Sequence, residues 1–300
     1  MAVVYNPQAG GLKGRKAERL ARGKEFLSGA DVISAPTTGP RTAGAVAARC
    51  IAEGADLVIA AGGDGTINEV LEGMLHSPVP LAILPGGTAN VLANEMGLSS
   101  KMEVAAKALL NSSPRRVSVG QVERNREPAR HFLLMAGVGL DAHIIYDLNL
   151  RLKARLGKIA YWIGGFSRFG RTLEEFQVAV DGRTHACTFA LIAKVRNYGG
   201  DFEIAKTVSL MDDEFEVVLF QGHSMRYAKY LIGMIAGRIS GMPGVKILRA
   251  NRVVISPGHD GHARRVHVQV DGEYAGYLPA VVTMVPDALT LLVPPGYPRI

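Results

Sequence analysis

The chain has 300 residues, of which 48% are hydrophobic, a length sufficient for one large domain or, as we expect, two of ordinary size. Its formal net charge of +7 comes from interspersed acidic and basic residues, so the charge does not by itself indicate a nucleic-acid partner. The only cysteines, Cys50 and Cys187, lie far apart without metal-ligand spacing, which argues against a disulfide framework or zinc site and fits a reducing cytosol.

Between residues 1 and 117, short strand-like runs alternate with helical patterns. The β-rich runs are AVVYN, DVISA, DLVIAA and PLAILP, and stretches with helical spacing, such as RTAGAVAARCIAEG and TINEVLEGML, follow them. This alternation is typical of a parallel sheet covered by helices. We therefore predict an N-terminal α/β domain with a parallel sheet.

Beyond Pro114 the pattern changes to longer alternating strands, among them FQVAVDGRTHACTFALIAKV and RRVHVQVDGEYAG. The Asp-Gly pairs within them are typical of tight hairpin turns. We predict an antiparallel β domain over residues 118–285, with helical interruptions near 141–168 and 224–238. A final run, ALTLLVP, would return the chain to the first domain over residues 286–300.

Three glycine-rich loops follow predicted strands of the first domain. The loop AAGGDGT places Asp64 among Gly62, Gly63 and Gly65, and the loops LPGGTANVLA and YNPQAGG follow two other strands. A loop that leaves a parallel strand and opens a helix presents backbone N–H groups that suit a phosphate. The Asp64 carboxylate would repel a phosphate alone, so it indicates a metal ion or a proton acceptor. One such loop could equally be a tight turn without a ligand, but three at one sheet edge predict a binding site.

The chain has neither a P-loop nor an ordinary dinucleotide motif. Five segments, in the order VVYNPQAGG, GGDGTINEV, LPGGTAN, GVGLDA and VDGEYAG, instead resemble the diacylglycerol kinase catalytic family, which includes bacterial lipid kinases and sphingosine kinases. The resemblance covers nearly the whole chain. It implies an NAD kinase- or phosphofructokinase-like ATP-binding domain at 1–117 with 286–300, and a β-sandwich lipid-substrate domain at 118–285. ATP would lie at the edge of the first domain, and the lipid hydroxyl would enter between the domains.

Carried onto this chain, the resemblance implies a nucleotide site and its catalytic residues. The nucleotide would contact Asn6, Thr38, Gly62, Gly63, Asp64, Gly65, Thr66, Ile67, Asn68, Gly87, Thr88 and Asn90. Asp64 would help to hold Mg²⁺ and the phosphates of ATP, and Glu273 would take the proton of the acceptor hydroxyl. Phosphoryl transfer needs this combination of positioning, metal and proton acceptor. Asp141, in GVGLDA, matches a position near the acceptor.

The segment LMDDEFEVV resembles the family's structural metal loop. In that loop Asp212 would be the side-chain ligand, with the carbonyl groups of Ser209 and Glu214 beside it. Carboxylate and carbonyl oxygens are the ligands that Mg²⁺ and Ca²⁺ accept. Two positions differ from the family's pattern: Val91 stands where many relatives have an aspartate of the metal network, and Asp213 stands where the metal loop usually has glycine.

Basic residues raise two further expectations. In the first loop Ala9 and Gly11 replace a serine and a lysine that the family often has there, so Lys13 or Arg15 would have to supply the cation. The segment near 151–171 interleaves Arg and Lys with aromatic residues. Such a stretch could lie on anionic lipid or present a solvated face over a core stripe. A lipid substrate favours the first alternative, and we expect a cytoplasmic protein with peripheral membrane contact.

Plainer structural roles stay open for the acidic residues. Glu273 follows an Asp-Gly pair that could merely turn a hairpin, as Asp181 and the glycine after it would do. Asp141 could cap the helix that follows it, because aspartate is a preferred N-cap residue. Asp212 and Asp213 could be ordinary solvated turn residues.

The sequence therefore predicts a lipid kinase that transfers the γ-phosphoryl group of Mg·ATP to a diacylglycerol-like or sphingoid hydroxyl. The expected partner is the lipid at a membrane surface, no nucleic acid is expected, and a homodimer stays open. One alternative, an NAD kinase, should carry an additional Asn-Glu motif, and Asn94 with Glu95 comes too early in the chain. Another is a non-catalytic relative that binds anionic lipid, which Val91 would fit, although Asp64 and Glu273 argue against it.

Overall fold

The computed structural model describes residues 1–7, 31–125, 127–139, 174–198, 202–222, 229–230, 232–234, 237–258 and 266–297. The helical interruption predicted near 141–168 lies outside these residues. The second, predicted near 224–238, is helical at 229–230 and 232–234. Within the described parts of the chain, no helix is both long and apolar enough to cross a membrane.

The chain divides into two compact units, and the first consists of Met1–Val119 and Pro286–Ile300. Its elements are β1 (Ala2–Tyr5), β2 (Ile33–Pro36), α1 (Ala43–Ala52), β3 (Val58–Gly62), α2 (Asp64–Met74), β4 (Leu81–Pro85), α3 (Val91–Glu95) and α4 (Met102–Leu109). The strands lie parallel in the order β2-β1-β3-β4, and the end of the last strand, β18 (Ala280–Val293), lies parallel to β4. Because helices cover both faces of such sheets, β3 and β4 are continuous, buried apolar runs.

The helices of the first unit bury stripes of small and apolar residues. Helix α1 buries Ala43, Val46, Ala47 and Cys50, which recur at the three- and four-residue spacing of one helix face. The backbones of α1 and α2 meet where glycine faces glycine, since a Cβ built on Gly73 would lie 2.0 Å from the carbonyl oxygen of Gly44. The two glycines therefore let α2, which opens with Asp64, lie against α1.

The second unit, Gly120–Val285, is an antiparallel β-sandwich. Its strands are β5 (Ser113–Arg124, which begins in the first unit), β6 (Glu127–Phe132), β7 (Met135–Gly139), β8 (Phe176–Val180), β9 (Arg183–Cys187), β10 (Phe189–Ala193), β11 (Asn197–Tyr198), β12 (Phe202–Glu203), β13 (Phe215–Phe220), β14 (Val245–Ala250), β15 (Arg252–Pro257), β16 (His267–Val270), β17 (Glu273–Tyr277) and the start of β18, with a 3₁₀ turn at Ile239–Gly241. One layer has the order β14-β13-β10-β7-β16-β17. In the other, β18, β15, β8 and β9 follow one another.

Apolar residues from both layers form one core in this unit. It includes Phe132, Phe176 and Phe215, and the rings of Phe132 and Phe215 stack with their centroids 5.6 Å apart. Two sheets that share a core in this way form a sandwich. The predicted fold class, a parallel α/β domain followed by an antiparallel β-sandwich, is confirmed.

The two Asp-Gly pairs turn hairpins, as their sequences predict. Asp181 and Gly182 connect β8 to β9 with φ values of 48° and 74°, and Asp271 and Gly272 connect β16 to β17 with φ values of 48° and 78°. Two successive positive φ angles characterise the tight turn whose twist matches that of antiparallel strands. Asp-Gly suits this turn because aspartate tolerates the left-handed region and glycine adopts it freely.

Candidate active site

The predicted nucleotide loops leave one edge of the parallel sheet. Strands β1, β3 and β4 are neighbours and end at Tyr5, Gly62 and Pro85 respectively. The loops that follow them therefore begin side by side, as the carboxyl ends of parallel strands do. Asn6, directly after β1, is half-buried at this edge. The parts of the first loop that carry Ala9, Gly11, Lys13 and Arg15 lie outside the described residues.

Thr38 lies in the loop after β2, and this loop is tied to α2 by a side chain to which the sequence analysis gave no role. The Glu69 carboxylate accepts the backbone N–H groups of Arg41 and Ala43, each at 3.1 Å. The backbone N–H of Thr38 itself donates to the Thr42 hydroxyl at 3.2 Å. Glu69 could not be identified from its neighbours in the sequence, because its partners are 26 and 28 residues away.

The two glycine loops after β3 and β4 contact each other through their backbones. The Gly86 N–H donates to the carbonyl oxygen of Gly62 at 2.8 Å. A Cβ built on Gly87 would lie 2.5 Å from the Cα of Gly63, and one built on Gly63 would lie 3.1 Å from the Cα of Gly87. These glycines therefore have a structural function that the sequence analysis did not identify, since they allow the two loops to meet.

Asn90 fixes the shape of the loop after β4. It is buried and adopts the left-handed conformation, with φ at 46°. Its side-chain oxygen accepts the Gly87 N–H at 2.8 Å, and its amide nitrogen donates to the Gly87 carbonyl at 3.0 Å. Both polar atoms of the Asn90 side chain thus position the loop, at whose tip Thr88 is exposed.

Asp64 connects two helices at this edge. It is the first residue of α2, and its carboxylate accepts the backbone N–H of Leu92, in the first turn of α3, at 3.2 Å. Burial raises the pKa of the Asp64 carboxyl above 3.8, although hydrogen bonds from backbone N–H groups, including those of Val91 and Leu92, act in the opposite direction. A negative charge held in this environment favours a bound cation or proton.

The remaining residues of the turn after Asp64 lie mostly on the inner side of α2. Ile67 is 2% exposed and Asn68 is 7% exposed, so the Ile67 side chain packs in the core. Thr66 faces Gly62, since a Cβ on Gly62 would lie 2.7 Å from the Thr66 Cβ. Gly65 and Thr66 are half-buried. Among the residues predicted to contact the nucleotide, the side chain of Ile67 is the one whose position is explained by packing.

In the second unit, Asp271 anchors the hairpin that carries Glu273, although the sequence identified this aspartate only as part of a turn. The carboxylate of Asp271 accepts three consecutive backbone N–H groups, those of residues 133–135, at 3.2, 3.1 and 2.9 Å. A tight turn does not require such contacts, and the Asp-Gly signal in the sequence gave no indication of them. Asp271 thus holds the β16–β17 hairpin against the segment between β6 and β7.

Glu273 begins β17, and its side chain forms an ion pair with Arg130 of β6. The guanidinium Nη2 of Arg130 lies 3.1 Å from Oε2 of Glu273, and Nη1 donates to the carbonyl oxygen of Tyr274 at 3.1 Å. The Glu273 side chain remains 38% exposed. Arg130 therefore orients a carboxylate that a substrate can still reach. Asp141, the residue predicted near the acceptor, lies outside the described residues.

The predicted metal loop contains two cations supplied by the protein. The ammonium of Lys194, which is fully buried, donates to the carbonyl oxygens of Leu210 and Asp212 at 2.9 and 2.8 Å. The guanidinium of Arg249 lies 2.7 Å from the Asp212 carboxylate and 3.4 Å from that of Glu214. Among the described residues, no group of three or more His, Cys, Asp and Glu side chains could hold a metal ion.

The pKa values of these two cations follow from burial and from the neighbouring carboxylates. Burial lowers the pKa of Lys194 from 10.5 to about 8, although the charges of Asp213 and Asp212 raise it. Burial also acts to lower the pKa of Arg249, but the hydrogen bonds and charges of Asp212 and Glu214 outweigh it and raise that pKa. Both groups therefore carry positive charge at neutral pH.

The chain is a two-domain protein. Its parallel α/β domain has glycine-rich loops at one edge of the sheet, and an antiparallel β-sandwich follows it. Residues 1–122 match the family model described as the diacylglycerol kinase catalytic domain. Residues 135–293 match the YegS C-terminal NAD kinase beta sandwich-like domain. The chain belongs to the diacylglycerol kinase catalytic domain family.

Relatives that align with this chain over nearly their whole length support this assignment. The chain is 27% identical over 284 residues to the diacylglycerol kinase of Bacillus subtilis, covering 92% of this chain and 90% of that one. It is also 27% identical over 301 residues to the diacylglycerol kinase of Mycobacterium tuberculosis, covering 98% and 95%. A crystal structure of a diacylglycerol kinase from Bacillus anthracis shares the fold, with a TM-score of 0.79 at 23% identity, over 98% of this chain and 97% of that one.

Proposed function

We propose that the protein is a lipid kinase that transfers the γ-phosphoryl group of ATP to the hydroxyl of a diacylglycerol-like or sphingoid lipid. The observation that carries the proposal is the position of Asp64, whose half-buried carboxylate joins two loops built from closely packed glycines. Glycine loops with helix N-termini suit the phosphates of a nucleotide, and a carboxylate among them suits the accompanying cation. Membership of the kinase family supports the same activity.

The residues of the first unit fit Mg·ATP. Without side chains at Gly63 and Gly87, the backbones of the two loops lie against each other at the edge of the parallel sheet. When bound, Mg²⁺ would neutralise charge on the phosphates. Asp64 would hold that cation, and Asn90 would keep the second loop in the shape that binding requires. Thr88, exposed at the tip of this loop, is available for direct contact.

Glu273 is proposed to accept the proton of the lipid hydroxyl. The hydroxyl oxygen then bonds to the γ-phosphorus of ATP, and the bond between the γ-phosphorus and the oxygen of the leaving ADP breaks. A general base must be ionised, accessible and oriented. The ion pair with Arg130 and the 38% exposure of the side chain meet the last two requirements. The Asp271 contacts with residues 133–135 keep the hairpin, and therefore the carboxylate, in place.

A lipid acceptor requires the protein to act at a membrane surface, and we propose peripheral attachment on the cytoplasmic side. The basic segment near 151–171, which lies outside the described residues, is the candidate for this attachment. Electrostatic binding to anionic vesicles should weaken with salt, because the Debye length falls from ~10 Å at 0.1 M to ~3 Å at 1 M. Co-sedimentation that depends on neither salt nor anionic lipid would argue against this attachment.

The proposed activity can be tested with radiolabelled ATP and a panel of acceptors: diacylglycerol, a sphingoid base, a monoacylglycerol and NAD. We expect phosphorylation of one lipid class and none of NAD. The residues Asn94 and Glu95 support this expectation, because the Asn94 amide donates to the Ala89 carbonyl at 3.1 Å and Glu95 accepts from the Tyr297 hydroxyl at 3.1 Å. Phosphorylated NAD would favour the NAD kinase alternative, and no transfer to any acceptor would favour a non-catalytic, lipid-binding relative.

A further inference from the structure

The loop between Ser209 and Glu214 is rich in oxygen atoms, and the protein's own cations bind them. Mg²⁺ and Ca²⁺ require six to eight oxygen ligands in proteins. Here the carbonyl oxygens of Leu210 and Asp212 instead accept the Lys194 ammonium. The carbonyl oxygen of Ser209, one of the ligands implied by the family resemblance, accepts the backbone N–H of Asp212 at 3.0 Å.

The side chain of Lys194 reaches this loop from the interior of the sandwich. Lys194 directly follows β10, and its backbone N–H donates to the carbonyl oxygen of Leu134 at 2.8 Å. Because its side chain is fully buried, the ammonium cannot exchange its carbonyl partners for water. A divalent cation bound to the same carbonyl oxygens would lie beside this ammonium without solvent between the two charges, which is strongly unfavourable.

The carboxylates of the loop are bound to a second cation. Arg249 of β14 contacts the carboxylates of Asp212 and Glu214, and its Nη1 donates to the carbonyl oxygen of Thr207 at 3.2 Å. The oxygen of the Asp212 carboxylate that pairs with Arg249, Oδ2, also accepts the Ser209 N–H at 3.2 Å. The side-chain ligand implied by the resemblance is therefore engaged by protein donors.

We propose that this loop is metal-independent, and that Lys194 and Arg249 supply the positive charge that a divalent cation would otherwise bring. The residues at the loop do not fit a structural Mg²⁺ or Ca²⁺ ion, because its carbonyl and carboxylate oxygens already receive an ammonium and a guanidinium. The inference concerns this loop alone and is independent of the cation that would accompany ATP at Asp64.

The first test is the thermal unfolding of the full chain without nucleotide or lipid. The Asp64→Asn background removes the other candidate cation site. A cation that binds only the folded chain raises the unfolding temperature by mass action. We expect MgCl₂, CaCl₂ and EDTA each to shift it by less than about 1 °C relative to NaCl of the same ionic strength. A saturable rise with Ca²⁺ or Mg²⁺ that EDTA reverses would overturn the proposal, and this measurement does not depend on a variant of the loop folding.

The second test compares two lysine substitutions. Lys194→Met keeps most of the length of the unbranched side chain but leaves the carbonyl groups of Leu210 and Asp212 without their donor, which is costly. Lys246→Met, on strand β14 of the same layer, removes an exposed lysine. We expect Lys194→Met to lower the unfolding temperature by about 4 °C or more, or to prevent folding, and Lys246→Met to have little effect. Equal, small effects of the two substitutions would overturn the role of Lys194.

Discussion

The two glycine loops of the first unit meet through their backbones, whereas the hairpin of Glu273 in the second unit is held by charged side chains. In the first, the Gly86 N–H donates to Gly62, and the Cα atoms of Gly63 and Gly87 meet without room for a Cβ. In the second, the Asp271 carboxylate accepts three backbone N–H groups, and Arg130 orients the Glu273 carboxylate.

This difference determines which changes each region tolerates. Loops that touch through their backbones cannot accept even a methyl group, because an added Cβ meets backbone that has little freedom to move. A hairpin fixed by carboxylates should accept changes of shape better than changes of charge, because its charge-assisted hydrogen bonds are stronger than neutral ones. Four substitutions follow, and each tests one side of this comparison. The first is measured by turnover, and the other three are ordered by their expected effect on stability, from the largest to the smallest.

The first substitution, Glu273→Gln, removes the charge from the second region with little change of shape. An amide cannot accept a proton at neutral pH, so turnover on the lipid substrate should fall by about 10²- to 10⁴-fold, with ATP affinity nearly unchanged. Glu127→Gln is a matched control, because Glu127 also pairs with an arginine, Arg124, near the same hairpin. Steady-state kinetics and ATP binding should be measured for both variants. If Glu273→Gln retains the turnover of the control, Glu273 is not the base.

The second substitution, Gly87→Ala, adds one methyl group to the first region. Its Cβ would lie 2.5 Å from the Gly63 Cα and 2.9 Å from the Asn90 side-chain oxygen. Such overpacking costs about 1–3 kcal/mol of folding free energy and forces the loops apart. Nucleotide affinity, measured by calorimetry on folded protein, should then fall about tenfold or more.

The control for Gly87→Ala is Gly241→Ala, because no atom of the described residues lies within 4 Å of a Cβ built on Gly241. This variant should retain both stability and nucleotide affinity. A Gly87→Ala protein that is destabilised but binds ATP like wild type would show that the glycine contact serves the fold alone.

The third substitution, Asp271→Asn, tests the anchoring carboxylate. Asparagine keeps the left-handed turn but places an amide near the three N–H donors at residues 133–135. The free energy of unfolding should fall by roughly 1–3 kcal/mol. Asp181→Asn, at an exposed turn with the same φ of 48°, should change it by less than about 0.5 kcal/mol. Chemical denaturation measures both, and equal effects would mean that the Asp271 contacts do not stabilise the hairpin.

The fourth substitution, Asp64→Asn, concerns the carboxylate beside the glycine loops of the first unit. Because the folded carboxyl binds its proton more tightly than the unfolded one, with its ordinary pKa of 3.8, wild type loses stability as the pH rises through the raised folded value. Asparagine does not titrate, so Asp64→Asn should be more stable than wild type at pH 7.

This gain should shrink as the pH falls towards 3.8, and urea denaturation at several pH values without nucleotide or metal can follow it. Turnover should be lost at every pH, as expected for a residue that sacrifices stability for function. A variant less stable than wild type throughout would mean that the hydrogen bond to the Leu92 N–H, not the burial of charge, determines the role of Asp64.

The sequence alone determined the order of the elements, the parallel and antiparallel domains, the Asp-Gly turns and the glycine loops, because periodicity and turn chemistry are local properties. The tertiary structure alone decided that Gly63 meets Gly87, that Asp271 anchors its hairpin, and that Arg130 orients Glu273. It also brought Lys194 to the loop at Leu210 and Asp212. These contacts join residues 16 to 143 positions apart, so they depend on the packing of whole strands and loops, which no local pattern encodes.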